Sequence, residues 1–148
     1  MDVKLNPKFG DEIELIPYNP DGQKFQVNLY KGVQAGFPSP ADDFIEQKLS
    51  LDERYVQDPN ATYFVRVKGN SMNDTLKKGD ICIVKSDKKP LNNEIAIFSV
   101  NYTDYTIKRF DKKGKMLIAD NPNFPNIELK EDDNVICFGV VRHIIRDL

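Results

Sequence analysis

The sequence predicts a mainly β protein: a compact, strongly bent β domain with one short helix, preceded by an irregular N-terminal arm. Three observations predict it. From Ala61 onward, short runs of alternating apolar and polar residues are separated by turn residues, giving about seven strands in some ninety residues. Ahead of them, helical spacing is confined to one stretch from Ser39 to about Ser50. The first thirty or so residues are broken by Asn6-Pro7, Pro17-Tyr18-Asn19-Pro20-Asp21-Gly22 and Lys31-Gly32 into pieces that cannot bury a core of their own.

The arm holds two β-like stretches, Glu12–Ile16 and Gln23–Tyr30. Two such strands must lean on something else to persist. Gly36-Phe37-Pro38-Ser39-Pro40 then reads as a rigid hinge, because each proline fixes its own φ and restricts the residue before it. The helix is expected to follow directly. Ser39 suits the N-cap, Pro40 the first helical position, and Asp42 and Asp43 the positive end of the dipole. Ala41, Phe44, Ile45 and Leu49 would share one face, and the helix would end near Leu49 or Ser50. Thr62–Lys68, Ile81–Lys85, Glu94–Val100, Tyr105–Phe110, Lys115–Ala119, Ile127–Leu129 and Ile136–Ile145 are the strand candidates of the β domain. Gly79-Asp80, Asn92-Asn93, Lys113-Gly114 and Asn121-Pro122-Asn123 mark turns between them.

Composition narrows the function. Apolar residues make up 40% of the 148 and charged residues 30%, which permits a packed core and argues against wholesale disorder. With 21 Lys+Arg against 23 Asp+Glu the formal charge is −2, so a protein that coats nucleic acid by neutralising phosphates is disfavoured. No stretch approaches the ~18 to 20 apolar residues of a membrane span, and Met1–Phe9 has no signal-peptide character. The two cysteines, Cys82 and Cys137, lie in apolar runs without CxxC spacing and read as small core hydrophobes of a reducing cytoplasm. With a single histidine, His143, no histidine-based metal cluster is expected, and no cofactor is implied.

Most polar clusters read as scaffold. Lys77-Lys78, Lys88-Lys89, Lys112-Lys113 and Glu131-Asp132-Asp133 all flank turns, and His143 sits among apolar residues of the last strand. Gly69-Asn70-Ser71-Met72 differs. It follows a strand directly, so Ser71 stands on a tight turn where backbone N–H groups can face an oxyanion. Alone this is a weak signal, since a nucleophilic serine needs a base and no motif supplies His143 with a carboxylate. A lysine can serve. At an ordinary pKa of about 10.4 a lysine is neutral in only about one molecule in 2,500 at pH 7, and burial raises that fraction. The base must therefore sit in an apolar strand, and Lys108 does, alternating with Ile107 and Arg109 beside Thr106 and Phe110. The same pattern also suits an outward lysine on a half-exposed strand.

Three segments decide between those readings. Ala35-Gly36, Gly69-Asn70-Ser71-Met72 with Leu76 and Gly79-Asp80-Ile81 behind it, and Thr106-Ile107-Lys108-Arg109 together resemble the LexA/UmuD family of self-cleaving serine–lysine peptidases. The 37-residue interval from Ser71 to Lys108 is the family's usual one, and Phe138-Gly139-Val140-Val141-Arg142-His143 also fits. The resemblance runs from Gly36 to the C-terminus. Within the family, Gly36-Phe37-Pro38-Ser39-Pro40-Ala41-Asp42 and Glu46-Gln47 look closest to the UmuD-like branch, and the 35 residues before Gly36 cannot form a DNA-reading helix-turn-helix. Residue 35 is Ala, as in the repressors of the family, where UmuD of enteric bacteria typically has Cys.

The resemblance implies a β domain of the LexA/UmuD C-terminal type over 36–148 and a 1–35 arm removed by cleavage of the Ala35–Gly36 bond. It implies Ser71 as nucleophile, Lys108 as base and the Asn70 and Ser71 backbone as oxyanion donors. A homodimer, stimulation by a RecA–single-stranded DNA filament and a Y-family (UmuC-like) DNA polymerase partner in the cytoplasm of a bacterium complete what it implies. Two other readings use the same residues: a non-enzymatic dimeric interaction module, and a serine–lysine peptidase that processes other proteins.

Overall fold

The computed structural model describes residues 7–17, 22, 26–30 and 45–148. The described chain divides into two compact units, one holding residues up to Tyr18 together with Asn60–Leu148, the other lying within Asn19–Pro59.

The larger unit is one antiparallel sheet of eight strands. In chain order these are β1 (Ile13–Ile16), β4 (Thr62–Val67), β5 (Ile81–Lys85), β6 (Ile95–Val100), β7 (Thr106–Asp111), β8 (Met116–Ile118), β9 (Ile127–Glu128) and β10 (Val135–Ile145). Their order across the sheet is β1-β4-β5-β10-β6-β7-β8-β9. The alternation that predicted the seven strands after Ala61 thus locates each of them to within a residue or two. Beyond them, β1 is the arm's first β-like stretch, and what it leans on is the edge of β4, in register from Ile13 opposite Val67 to Ile16 opposite Phe64.

The bend of the sheet has a local cause. The first half of β10 pairs with β6 and the second half with β5, and the register slips at Cys137/Gly139 and again at Val141/His143. Each slip is a bulge that turns the strand and increases its twist. Gly139 is required there: a Cβ would stand 2.7 Å from Val84 Cγ1 and 2.8 Å from the Lys85 carbonyl oxygen. Curled in this way, the sheet buries apolar side chains on both faces. Ile13, Val65, Val67, Met72, Leu76, Cys82, Val84, Ile97 and Ile107 form one cluster, and Ala96, Phe98, Leu117 and Val140 a second. Burying one such aliphatic side chain contributes about 1.5–3 kcal/mol, so the cores on the two faces hold the curl.

The smaller unit corrects one expectation. The second half of the expected helix is instead strand β3 (Ile45–Ser50), paired antiparallel with β2 (Gln26–Tyr30). The hinge and the expected helix start lie outside the described residues. Ile45-Glu46-Gln47-Lys48-Leu49-Ser50 satisfies a period of two as well as it does a helical one. The hydrogen-bonded partner decides between them, because tertiary pairing outweighs intrinsic propensity. The short helix of this unit comes after the strand, as a single π-helical turn over Asp52–Val56.

The cysteines part company. Cys82 is fully buried and burial pushes its thiol up to about 12. Cys137, read from sequence as a core residue, is exposed, next to the bulge that interrupts the alternation of β10. Among the described residues no helix is long and apolar enough to cross a membrane.

Candidate active site

β4 ends at Val67, and the chain turns through Lys68-Gly69-Asn70 to Ser71. Two buried side chains anchor this turn, Met72 at 1% and Leu76 at 2% exposure, and the Leu76 amide bonds back to the Met72 carbonyl at 2.8 Å. The return to β5 runs through Gly79, whose φ of +97° suits a residue without a Cβ. Next to it Asp80 is buried, accepting from the Lys77 amide at 2.8 Å and from Arg146 at 2.6 and 2.7 Å. Those bonds, with the guanidinium foremost, hold the Asp80 carboxyl below its ordinary value against the opposing effect of burial. The Gly79-Asp80-Ile81 motif is thereby the tie-down of the serine loop.

A second tie comes from the β8–β9 connection. Asn121 donates its amide to the Ser71 carbonyl at 3.0 Å and its side chain to the Asn70 carbonyl at 2.9 Å. Asp120 accepts Thr75 Oγ1 at 2.6 Å and receives a two-pronged pairing from Arg109, Nε at 2.9 Å and Nη2 at 2.7 Å. Arg109 follows Lys108 on β7, so the serine loop is fastened to the strand that carries the lysine.

The curl of the sheet then closes the distance. β4 and β7 are separated by β5, β10 and β6 in the sheet, yet Lys108 Nζ lies 3.2 Å from Ser71 Oγ. Ser71 is 6% and Lys108 5% exposed. Lys108 also donates to Thr106 Oγ1 and, at 3.2 Å, to the Ile107 carbonyl. Of the residues nominated from sequence, the structure therefore brings Ser71, Asn70 and Lys108 together, while Ala35 and Gly36 lie outside the described residues.

One group at this site carried no sequence signal. Glu12, just before β1, accepts from Ser71 Oγ at 2.6 Å, Lys108 Nζ at 2.9 Å, Thr106 Oγ1 at 2.6 Å and the Ile107 amide at 3.3 Å. It stands 59 residues from Ser71 and 96 from Lys108, so no spacing could have linked them. Burial pushes the Glu12 carboxyl up, but the charge of Lys108 and the hydrogen bonds from Ser71, Thr106 and Lys108 outweigh it and hold the group below its ordinary value. An ionised carboxylate only accepts. The Ser71 proton is therefore directed at Glu12, and Lys108, as the cation of the pair, donates to Ser71.

These residues line an open cleft of about 410 Å³. Its lining is made by Asp11 and Glu12, by Gly69, Asn70 and Ser71, by Thr106 and Lys108, and by the apolar Phe124, Pro125 and Ile127. An open cleft lined by a serine, a lysine and apolar side chains is suited to holding an extended peptide beside Ser71.

The class of the protein is that of the serine peptidases: the profile of the Peptidase S24-like family matches residues 28–142. Protein ImpA of Salmonella typhimurium is 35% identical over 132 residues, 87% of this chain and 90% of that protein. Protein MucA of Escherichia coli is 35% identical over 114 residues, 75% of this chain and 77% of its own length. The LexA repressor of Shewanella piezotolerans is 30% identical over 130 residues, 86% of this chain but 62% of that protein. The chain belongs to the Peptidase S24-like family, as a UmuD-like member of the LexA/UmuD group.

Proposed function

We propose that this protein cleaves itself between Ala35 and Gly36 with a Ser71–Lys108 pair, and that it is a UmuD-type accessory protein of error-prone translesion synthesis in the SOS response. The observation that carries the chemistry is the buried 3.2 Å approach of Lys108 Nζ to Ser71 Oγ. Lys108 in its neutral form accepts the Ser71 proton as Oγ attacks the Ala35 carbonyl carbon. The oxyanion that forms is met by the Asn70 and Ser71 amides, which no described residue engages. When the C–N bond breaks, Lys108 returns the proton to the Gly36 amine. Water then hydrolyses the Ser71 ester, freeing the arm with a carboxylate at Ala35. Tethering supplies the scissile segment at high effective concentration, so control rests on whether that segment docks.

Similarity to ImpA and MucA over most of their lengths supports the UmuD-type assignment. With it come the rest of the proposal: a cytoplasmic homodimer, stimulation by a RecA–single-stranded DNA filament and a Y-family polymerase partner. The domain boundary at 35/36 belongs to the same proposal. The test is the intact mass of the protein during incubation at alkaline pH, with and without an activated RecA filament. Release of residues 1–35 in the wild type, and not in Ser71→Ala or Lys108→Ala, is the expected result. A wild type that stays whole under both conditions overturns the reading.

A further inference from the structure

The N-terminal segment reaches the reactive pair by a continuous set of contacts. Tyr105 donates its amide to the Lys8 carbonyl at 2.8 Å. Phe9 packs its ring 4.9 Å from Tyr105 and 5.2 Å from Phe138. The Glu12 carbonyl accepts both the Lys68 amide at 2.8 Å and the Gly69 amide at 3.1 Å, the two residues that lead into Asn70-Ser71. Ile13 is fully buried, and from there β1 pairs along β4. The segment from Lys8 to Ile16 thus runs without regular structure to Glu12 and continues as the edge strand β1, with one aromatic anchor in Phe9, one aliphatic anchor in Ile13 and the Glu12 carboxylate between them.

We propose that the β4 edge and the cleft beyond it form one strand-docking surface, that Lys8–Ile16 occupies it as an internal plug with Glu12 at the Ser71–Lys108 pair, and that the scissile segment docks only when the plug withdraws. This rests on the self-cleavage reading given above. Two physical arguments support it. The first is occupancy: the Glu12 carboxylate sits 2.6 Å from Ser71 Oγ, where a carbonyl carbon under attack would have to lie. Its backbone also uses the Lys68 and Gly69 amides, which an extended peptide laid against this edge would need. The second is the direction of the proton. Attack requires Ser71 to donate to an uncharged amine. With Glu12 in place, Ser71 donates to the carboxylate and the lysine is the cation of an ion pair with no lone pair to offer. Glu12 itself is a poor substitute base, because an acid held below its ordinary value binds a proton weakly. The plug therefore disarms the nucleophile as well as covering it.

The groups that face Glu12 are Lys108, Ser71 and Thr106, and Asp11 is the other ionisable side chain on the cleft wall. Glu12→Gln keeps the size and a hydrogen-bond acceptor and removes the charge. In the full-length protein without RecA, this variant is expected to self-cleave about tenfold faster at neutral pH, with the rising limb of its rate–pH profile about one unit lower than in the wild type. An unchanged rate and profile overturn the plug. Loss of cleavage also overturns it, and makes Glu12 a catalytic base. A second measurement reads the docking without cleavage: amide hydrogen exchange at Lys68 and Gly69, relative to the β5 amides, is expected to accelerate in Glu12→Gln, and unchanged exchange counts against the plug. Should the wild type never cleave while these two amides still respond, the self-cleavage reading falls and the docking stands.

Discussion

Lys108 and Arg109 are neighbours on β7, both ion-paired, and their pairs do opposite things. Arg109 is held by Asp120, 11 residues away on the adjacent β8 side of the sheet, through two near-parallel N–H···O bonds of 2.9 and 2.7 Å. A guanidinium does not lose its proton in a protein, and its planar fork fixes its partner's orientation. Its task is to hold Asp120, and through Thr75 the serine loop, in place. Lys108 pairs with Glu12 through one 2.9 Å contact, and that partner directly precedes the edge strand β1. An ammonium is a compact charge that can become a neutral amine, and its partner can leave with the strand. One cation is permanent and clamps; the other is convertible and, in the proposed reaction, serves as the base. Adjacent positions on one strand thus separate structure from chemistry because alternate residues face opposite sides of the sheet.

The largest expected effect tests that contrast directly. Lys108→Arg keeps the charge and removes the proposed base, and is expected to lower self-cleavage by at least about 10³-fold, as is Ser71→Ala by removing the proposed nucleophile. Arg109→Lys at the next position keeps a cation and is expected to cost only about tenfold, by loosening the clamp. Circular dichroism establishes that each variant is folded. A folded Lys108→Arg protein that cleaves at the wild-type rate removes the distinction between the two cations.

Asp120→Asn attacks the clamp from the other side. It weakens two charge-assisted hydrogen bonds and is expected to lower stability by about 1–3 kcal/mol in urea titrations. The self-cleavage rate is expected to fall with it, since the serine loop loses its fastening to β7. A variant as stable as the wild type and equally fast would show that Met72 and Leu76 position Ser71 without help.

Acid sharpens the same comparison. The Asp120 carboxyl is held below its ordinary value by the hydrogen bonds from Arg109 above all, with burial opposing, and by Thr75 and the guanidinium charge. A group lowered in this way adds stability that is fully present above its unfolded pKa of about 3.9 and is lost as pH falls through the lower folded value. The stability gap between wild type and Asp120→Asn should therefore be open at pH 7 and close as the pH is taken below about 4. Equal gaps at pH 7 and pH 3 would mean that the pairing contributes nothing to folding.

The smallest effect is expected two residues from Glu12. Glu14 pairs with Arg66 at 3.2 Å across β1 and β4, but their side chains are 50% and 44% exposed. Arg66→Ala is expected to change stability by less than about 1 kcal/mol and to leave cleavage near the wild-type rate, because water and salt screen such a pair. A large effect on cleavage would mean that this surface pair, and not Glu12, carries the docking of β1.

What could be read in the chain alone was set by short-range pattern. Alternation over four to six residues is enough to specify β4 to β7, since a strand with one face buried needs it at every step. The Ser71 turn and Lys108 were legible because a tight turn and an alternating strand are local features, and their spacing linked them to a family. Three things were decided only by tertiary structure. Ile45–Ser50 became a strand because β2 offers it hydrogen bonds, although its residues allow a helix equally well. Asn121 read as a turn residue and Asp120 carried no signal until the turn folded back onto the serine loop. Glu12 reached Ser71 and Lys108 because two bulges in β10 curl the sheet until its first edge strand meets β7. A carboxylate has no preferred sequence distance from its partner. Only the curvature of the backbone between them determines whether the charges meet.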